Sequence, residues 1–326
     1  MKPFKTIDEQ IEILKSRNLK FKNVDRAKRY LLDYNYYNVV NFYSKFFIDK
    51  KTNLYYDDVY FEDILEVHYF DKEIKTAIFE AIMDVERHFK SILAYNYCSI
   101  FRDDLSSYLK VETYNPKFIS QAEDMKDKLT KIIIKNKDKK KPNSIKHYVN
   151  THNSVPFWIL VDYLSFGDVI YFYKYLSYKV QNAVAYDLSN FIKENLSRND
   201  TKPVTAKLIQ NIIWNIRELR NITAHNNILL GFKCSNDLPY YEELHERYNI
   251  RNTDNRQSVY STIIAMQFFL SHNQYANLNN KIRKRVNKLK NKIPFTYFEK
   301  VITSLGFPDN WEKIDIIPYE NIYSTK

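Results

Sequence analysis

The sequence predicts an all-α protein, and three observations lead to this fold class. First, only 3 of the 326 residues are glycines, whereas tight β-hairpins and phosphate-binding loops are built largely from glycine at positive φ. Second, no G-x-G-x-x-G or G-K-[ST] run is present, which argues against nucleotide chemistry of the Rossmann or P-loop kind. Third, apolar residues recur at steps of three and four, the period of helices packed on a core.

The predicted helices begin near the amino terminus. Residues 7–17 place Ile11 and Leu14 on one face, and Asp25 begins a second amphipathic helix. Residues 32–47 are dense in tyrosine and phenylalanine. We expect these rings to pack in the core, although tyrosines can also stack on unpaired bases.

A long helix is predicted over residues 61–101, with Asp71 as its cap. Its apolar stripe consists of Ile74, Ile78, Ala81, Ile82, Val85, Phe89 and Ile92. After Pro116 a polar helix ends in a lysine-rich break at residues 135–142, for which we expect a solvated loop.

The next helices are predicted from an apolar run and a periodic stretch. Residues 157–176 follow Pro156 and are apolar nearly all round, so we expect a central helix that Gly167 interrupts. Residues 204–221 form a strongly periodic helix, for which Thr201 offers a cap.

The carboxyl-terminal third contains two more periodic stretches, residues 259–270 and 281–293. The second pairs an apolar stripe with basic flanks, which predicts a surface helix with a basic exposed face. Its basic residues are Lys281, Lys284, Arg285, Lys288 and Lys292. This face is our candidate RNA contact, and an ordinary solvated helix is the alternative.

Composition restricts the class of partner. The net charge is +11, as expected for a polyanion-binding protein, although an AT-rich genome would also enrich lysine. No apolar run approaches the ~18 residues of a membrane span, and residues 1–8 lack the apolar core of a signal peptide. Two cysteines are too few for a disulfide framework. We therefore expect a cytoplasmic protein with no membrane association.

The sequence lacks the residues that several kinds of active site require. Among 7 histidines, only His147 and His152 lie close in sequence, and their spacing has no helical register, so we expect no metal and no cofactor. A Ser-His-Asp hydrolase is unsupported because no G-x-S-x-G occurs. The remaining candidate is Arg220 and His225, an R-x4-H pattern.

The R-x4-H spacing proves little by itself, since about one such match arises by chance in this chain. Its position is more informative. Arg220 lies four residues after Ile216 on the apolar stripe, so its guanidinium should project from the buried side of the helix. There it either pairs with a carboxylate or meets an arriving phosphate. His225 follows roughly 7.5 Å along a continued helix, and its imidazole can move a proton near neutral pH.

At these residues the chain resembles the Abi-like family of bacterial abortive-infection proteins, of the AbiD and above all the AbiF type. The core of this family is a HEPN domain, the higher eukaryotes and prokaryotes nucleotide-binding fold. The resemblance includes Asn35-Tyr36-Tyr37, Tyr69-Phe70-Asp71, residues 81–86, Leu164-Ser165-Phe166-Gly167 and residues 305–311. HEPN ribonucleases carry R-x4-6-H with a polar residue after the arginine, and Arg220, Asn221 and His225 match this motif.

The resemblance implies a metal-independent endoribonuclease that uses the 2′-hydroxyl of RNA as nucleophile and leaves a 2′,3′-cyclic phosphate. His225 is implied as the general acid or base, Arg220 as the phosphate-stabilising group and Asn221 as a supporting residue. Glu86 occupies the family's acidic position and is the expected buried partner of Arg220. Four residues on, where the family often has arginine, this chain has Lys90. Because one chain carries one motif, the resemblance also implies a homodimer with a composite site.

The same resemblance implies an all-α, HEPN-type helical bundle with helical extensions at both ends. We divide the chain into an amino-terminal helical region at 1–55, a HEPN core at 56–235 and a carboxyl-terminal extension with the basic helix at 236–326. AbiF-like proteins resemble antiphage toxins that a structured small non-coding RNA binds and restrains. RNA is thus expected both as substrate and as regulator.

Two other functions remain open. The chain could be a non-catalytic RNA-binding or RNA-sensing HEPN module whose arginine and histidine are structural or bind nucleotide. HEPN folds also accompany nucleotidyltransferases, but this chain has no transferase motif of its own.

Overall fold

The computed structural model of the protein describes residues 3–225, 227–309, 311 and 316–319. Within these ranges the backbone forms α-helices joined by short 3-10 and π turns, and isolated bridges in place of any β-sheet. The predicted all-α fold is confirmed. The helices are α1 (Ile7–Ser16), α2 (Val24–Tyr34), α3 (Phe61–Ile100), α4 (Ile119–Lys137), α5 (Ser144–His152), α6 (Phe157–Leu160), α7 (Phe166–Tyr175), α8 (Tyr178–Leu196), α9 (Ala206–Ala224), α10 (Glu242–His245), α11 (Val259–Ala265), α12 (His272–Lys290) and α13 (Phe295–Ser304).

The long helix α3 is the axis of the fold. Its 40 residues extend over about 60 Å, and α8, α9 and α12 pack along it. The predicted apolar stripe faces these helices, and Ile74, Ile78, Ile82, Val85 and Phe89 are completely buried. One continuous hydrophobic core joins residues from α1 to α13.

The expected cap of α3 is wrong. The helix begins ten residues before Asp71, at Phe61, where the Asp63 carboxylate accepts a hydrogen bond from the Tyr60 N–H at 2.8 Å. Asp71 instead lies in the helix interior with none of its surface exposed. It occupies the position one turn before Ile74, on the face that packs against the core.

The apolar run 157–176 is not one helix. It forms α6, a 3-10 turn and α7, with the break at Leu164 and Ser165. The Ser165 hydroxyl caps α7 by accepting from the Asp168 N–H at 3.2 Å. Gly167, the expected interruption, lies in the first turn of α7, because a capping serine rather than a glycine separates the two helices.

Two other predicted boundaries move. The cap of α9 is Thr205, whose hydroxyl accepts from the Leu208 N–H at 3.2 Å, and not Thr201. The basic helix α12 starts at His272, nine residues before the predicted start, where Ser271 and Gln274 form a capping box. In the aromatic segment, Tyr43 and Phe47 are buried as expected. No helix of the described residues combines the length and hydropathy needed to cross a membrane.

Two buried histidines make the fold sensitive to acid. Burial lowers the pKa of His68 and of His245 from 6.5 to about 4. Between these values the unfolded chain binds protons that the native protein does not, so stability falls as pH drops from 6.5 to 4. The expected slope is about 1.4 kcal/mol per pH unit for each histidine. Urea unfolding at several pH values measures it.

The slope can be assigned by comparing variants. His245→Gln should flatten the pH dependence of the unfolding free energy between pH 4.5 and 6.5, because it removes one of the two groups. An unaltered slope in His245→Gln would contradict the assignment.

Candidate functional site

Helix α9 carries the sequence motif and is fixed by its apolar face. Thr205 caps its first turn, and Ile209, Ile212, Ile216 and Leu219 are buried against the core. Because these residues anchor the helix along its whole length, the polar residues of its last turns are held in defined positions. Arg220 and Asn221 are among them, whereas His225 follows the last helical residue.

Arg220 lies at the boundary between the core and solvent. Its side chain is half-buried, and its Nε is inaccessible and has no hydrogen-bond acceptor. None of the ion pairs found within the described ranges includes it. A partly desolvated guanidinium without a counter-charge is energetically costly. Arg220 was expected either to pair with a carboxylate or to meet a phosphate. Within the described ranges it has no carboxylate partner, so its guanidinium is able to bind an anion.

His225 is the residue at which α9 ends. Its backbone N–H donates to the Asn221 carbonyl at 3.1 Å, so the helical path continues as far as His225. The side chain is exposed and makes no hydrogen bond to any described residue. An exposed imidazole in this position is accessible to a large substrate.

Asn221 and Glu86 were the expected supporting residues. The Asn221 side chain is half-buried and has no hydrogen bond within the described part of the protein, so its orienting role stays a prediction. Glu86 pairs with Lys90, one turn away on α3, at 2.9 Å. The expected ion pair between Glu86 and Arg220 is not formed, because lysine at position 90 supplies the nearer cation.

The Glu86–Lys90 pair borders an open groove of about 820 Å³ between α3 and α6. The Lys90 ammonium also donates to the Leu164 carbonyl at 2.9 Å, at the break between α6 and α7. Trp158 and Tyr95 line the groove and are 43% and 68% exposed. Arg220 and His225 are not among the lining residues. Within a single chain, Glu86 therefore lines a groove to which the two motif residues do not contribute.

A second arginine of α9, Arg217, gives a structural reason for glycine at position 167. The Arg217 guanidinium lies over the rings of Trp214 and Tyr171, at 5.0 and 5.7 Å from their centroids. A Cβ at Gly167 would meet its Nε at 3.2 Å. Glycine at position 167 thus leaves room for a stacked arginine one turn before Arg220.

Sequence reasoning missed a buried charged cluster behind the motif. Asp71 and Lys75 form an ion pair at 2.9 Å inside the protein. Both bind the backbone of the chain that follows His225, at Leu229 and Asn227 respectively. The sequence did contain a signal for this cluster, because Asp71 and Lys75 are charged residues that continue the Ile74–Ile78 stripe at helical spacing.

Three of the five basic residues predicted to contact RNA form ion pairs with glutamates of α3. Lys281 pairs with Glu80 at 2.7 Å, and Arg285 and Lys288 pair with Glu73 at 3.5 and 3.2 Å. The two remaining predicted RNA contacts, Lys284 and Lys292, are exposed and have no ion pair within the described ranges. The predicted basic face is still present, since only two glutamates meet three of its cations, and its contact with RNA stays a prediction.

A metal site does not emerge from the side chains. Among the described residues, no group of three or more histidine, cysteine, aspartate or glutamate side chains is placed to hold a metal ion. Burial raises the pKa of both thiols, that of Cys234 to about 12. Neither cysteine is thereby set up as a nucleophile.

Comparison with known proteins places the chain in a family. The family model described as Abi-like protein matches residues 29–231, more than half of the sequence. The match extends from α2 through the end of α9 and includes Glu86, Arg220 and His225, but not α12. Searches among curated proteins and among solved structures gave no match. The chain therefore belongs to the Abi-like protein family.

Proposed function

We propose that this protein is a metal-independent endoribonuclease toxin of an antiphage abortive-infection system, with a HEPN-type site at Arg220 and His225. The observation that carries the proposal is the unpaired, half-buried guanidinium of Arg220 on the same helix whose end carries the exposed imidazole of His225. Membership in the Abi-like family supports the link to abortive infection. An imidazole and a guanidinium can supply the proton transfer and the charge stabilisation of phosphoryl transfer without a metal.

The reaction follows from the chemistry of RNA. A general base takes the proton of the 2′-hydroxyl, and the O2′ atom forms a bond to the adjacent phosphorus. The bond from phosphorus to the 5′-oxygen breaks, and a general acid protonates that oxygen. The products are a 2′,3′-cyclic phosphate and a 5′-hydroxyl. Arg220 stabilises the extra negative charge of the pentavalent phosphate through bidentate hydrogen bonds.

The need for both a base and an acid supports a homodimer. One imidazole cannot take one proton and deliver another in the same step, and each chain supplies one motif histidine. A second copy related by a two-fold axis brings its own Arg220 and His225 to the same phosphate. Glu86 and Asn221 keep supporting roles in this proposal, with Glu86 acting from the neighbouring groove.

RNA is the proposed partner beyond the scissile phosphate. The net charge of +11 favours a polyanion, and a structured small RNA encoded with the toxin is the proposed restraint. Lys284 on α12 and Lys292 just after it are exposed, have no ion pair within the described ranges, and can contact this RNA. Lys281, Arg285 and Lys288 add direct phosphate contacts when RNA displaces Glu73 and Glu80 from their ion pairs.

The chemistry of the RNA ends tests the proposal. Purified protein, freed of copurifying nucleic acid, is incubated with RNA in excess EDTA, and the new 3′ ends are analysed. We expect cleavage to persist in EDTA and to leave cyclic phosphates. Cleavage that requires a divalent ion, or that leaves 3′-hydroxyls, would contradict the proposed mechanism.

A second candidate is an RNA-binding or RNA-sensing module without catalysis. The observation that favours it is the missing orientation of His225, whose ring has no hydrogen-bond partner in the described structure, whereas a general base is normally held by a third group. This candidate predicts tight, salt-dependent RNA binding and no cleaved product under any condition.

A further inference from the structure

The chain that follows His225 is held from behind by a buried charged cluster on α3. The Asp71 carboxylate is completely buried and accepts three hydrogen bonds or ion-pair contacts. Tyr43 Oη donates to its Oδ2 at 2.9 Å, Lys75 Nζ lies 2.9 Å from the same oxygen, and the Leu229 N–H donates to its Oδ1 at 3.1 Å. We call Tyr43, Asp71 and Lys75 the Asp71 clamp.

The clamp binds main chain on the carboxyl side of the motif. Lys75 Nζ donates to the carbonyl of Asn227 at 3.1 Å, two residues after His225, and Asp71 accepts from Leu229, four residues after it. Next to the clamp, Lys45 Nζ donates to the Leu230 carbonyl at 3.0 Å. The side chains of Lys75, Asp71 and Lys45 therefore fix the backbone over residues 227–230.

Among the described residues, two further hydrogen bonds restrain the backbone around His225. Ala224 and His225 are exposed, so packing does not hold them. The helix contributes the His225 N–H bond to Asn221, and the Asn227 N–H bonds back to the Ile222 carbonyl at 3.1 Å. The position of the imidazole therefore depends both on α9 and on where the chain after His225 is held.

Stability alone does not explain a buried ion pair in this place. Replacing such a pair by apolar residues of similar volume is often neutral or stabilising, because the desolvation of two charges offsets their attraction. The two charged residues instead fix backbone positions. Besides pairing with each other, Asp71 accepts a hydrogen bond from the Leu229 N–H, and Lys75 donates one to the Asn227 carbonyl. Burial and the nearby Asp71 carboxylate raise the pKa of Tyr43, so its hydroxyl remains a donor.

We infer that Asp71 and Lys75 are positioning residues for His225, which set the imidazole of the proposed ribonuclease site by fixing the backbone from Asn227 to Leu229. The inference rests on the proposed function for its catalytic consequence. Misplacement of a catalytic group by about 1 Å can cost on the order of 100-fold in rate. Loss of the clamp should therefore lower kcat and leave KM nearly unchanged, because the clamp lies behind the site.

The main test removes the clamp without leaving a buried charge. Tyr43→Phe/Asp71→Leu/Lys75→Met replaces its polar groups by apolar ones of similar size. We expect this variant to fold, to exchange its Leu229 amide hydrogen at least about 10-fold faster than the parent, and to lose at least about 10-fold in kcat. Asp71→Asn is the second variant, which keeps the shape but removes the charge.

Asn195→Leu is the matched control. Asn195 is also buried and its amide also ties helices to backbone carbonyls, those of Gln267 and Leu270, which lie outside the site. The Asn195→Leu variant should lose stability without a change in kcat or in the amide exchange at Leu229.

The two readouts separate two kinds of failure. A clamp variant that folds with parental amide exchange at Leu229, or with parental kcat, overturns the positioning role. A parent protein that cleaves no RNA overturns the proposed function and the catalytic part of this inference, whereas the exchange data still show whether the clamp holds the chain.

Discussion

Replacing His225 by alanine is expected to lower the rate of RNA cleavage by about 10²–10⁴-fold, the usual contribution of a general acid or base. The imidazole is the proposed proton-transfer group at the end of α9. Because the side chain is exposed and has no bond to the described residues, its removal should leave the unfolding free energy within about 0.5 kcal/mol of the parent value. The cleavage rate and a urea unfolding curve measure the two effects.

His147→Ala is the matched control for this substitution. His147 is another exposed histidine at a helix, on α5, and lies inside the region that matches the family model. It should cleave RNA at the parental rate. Parental cleavage by His225→Ala would exclude His225 as the proton-transfer group, and with it the proposed composite site.

The main helices were predictable because their signals are local. The stripe from Ile74 to Phe89 predicts the buried face of α3, and the stripe of α9 predicts the placement of Arg220 and His225 on one element. A repeat of three and four depends only on the helical period and on burial of one face. Such signals survive without knowledge of the neighbouring helices.

Partner choice was not predictable, because it depends on which helices meet. Glu86 selects Lys90 on its own helix in place of Arg220, and the cations of α12 find Glu73 and Glu80 on α3, more than 190 residues away in sequence. Asp71 was placed at a helix end because aspartate is a frequent cap. In the folded chain the Asp71 carboxylate accepts hydrogen bonds from Tyr43 and Leu229, which only tertiary packing brings next to it.

Replacing Arg220 by methionine should separate catalysis from stability. The guanidinium is the proposed stabiliser of the transition-state charge, so cleavage should fall by about 10²–10³-fold. The unfolding free energy should stay the same or rise, since the substitution removes a desolvated cation whose Nε has no acceptor and fills the space with an apolar chain. A non-catalytic structural role predicts the opposite sign for the change in stability.

Arg217→Met on the preceding turn of α9 should give the reverse result. Arg217 stacks on Trp214 and Tyr171, and the loss of these cation–π contacts should cost about 0.5–1 kcal/mol without changing cleavage. If Arg220→Met instead lowers stability by more than Arg217→Met while cleavage persists, the arginine is structural. The two variants differ by one turn of one helix and remove the same group, so a crossed pattern of stability and rate can only reflect what each guanidinium faces.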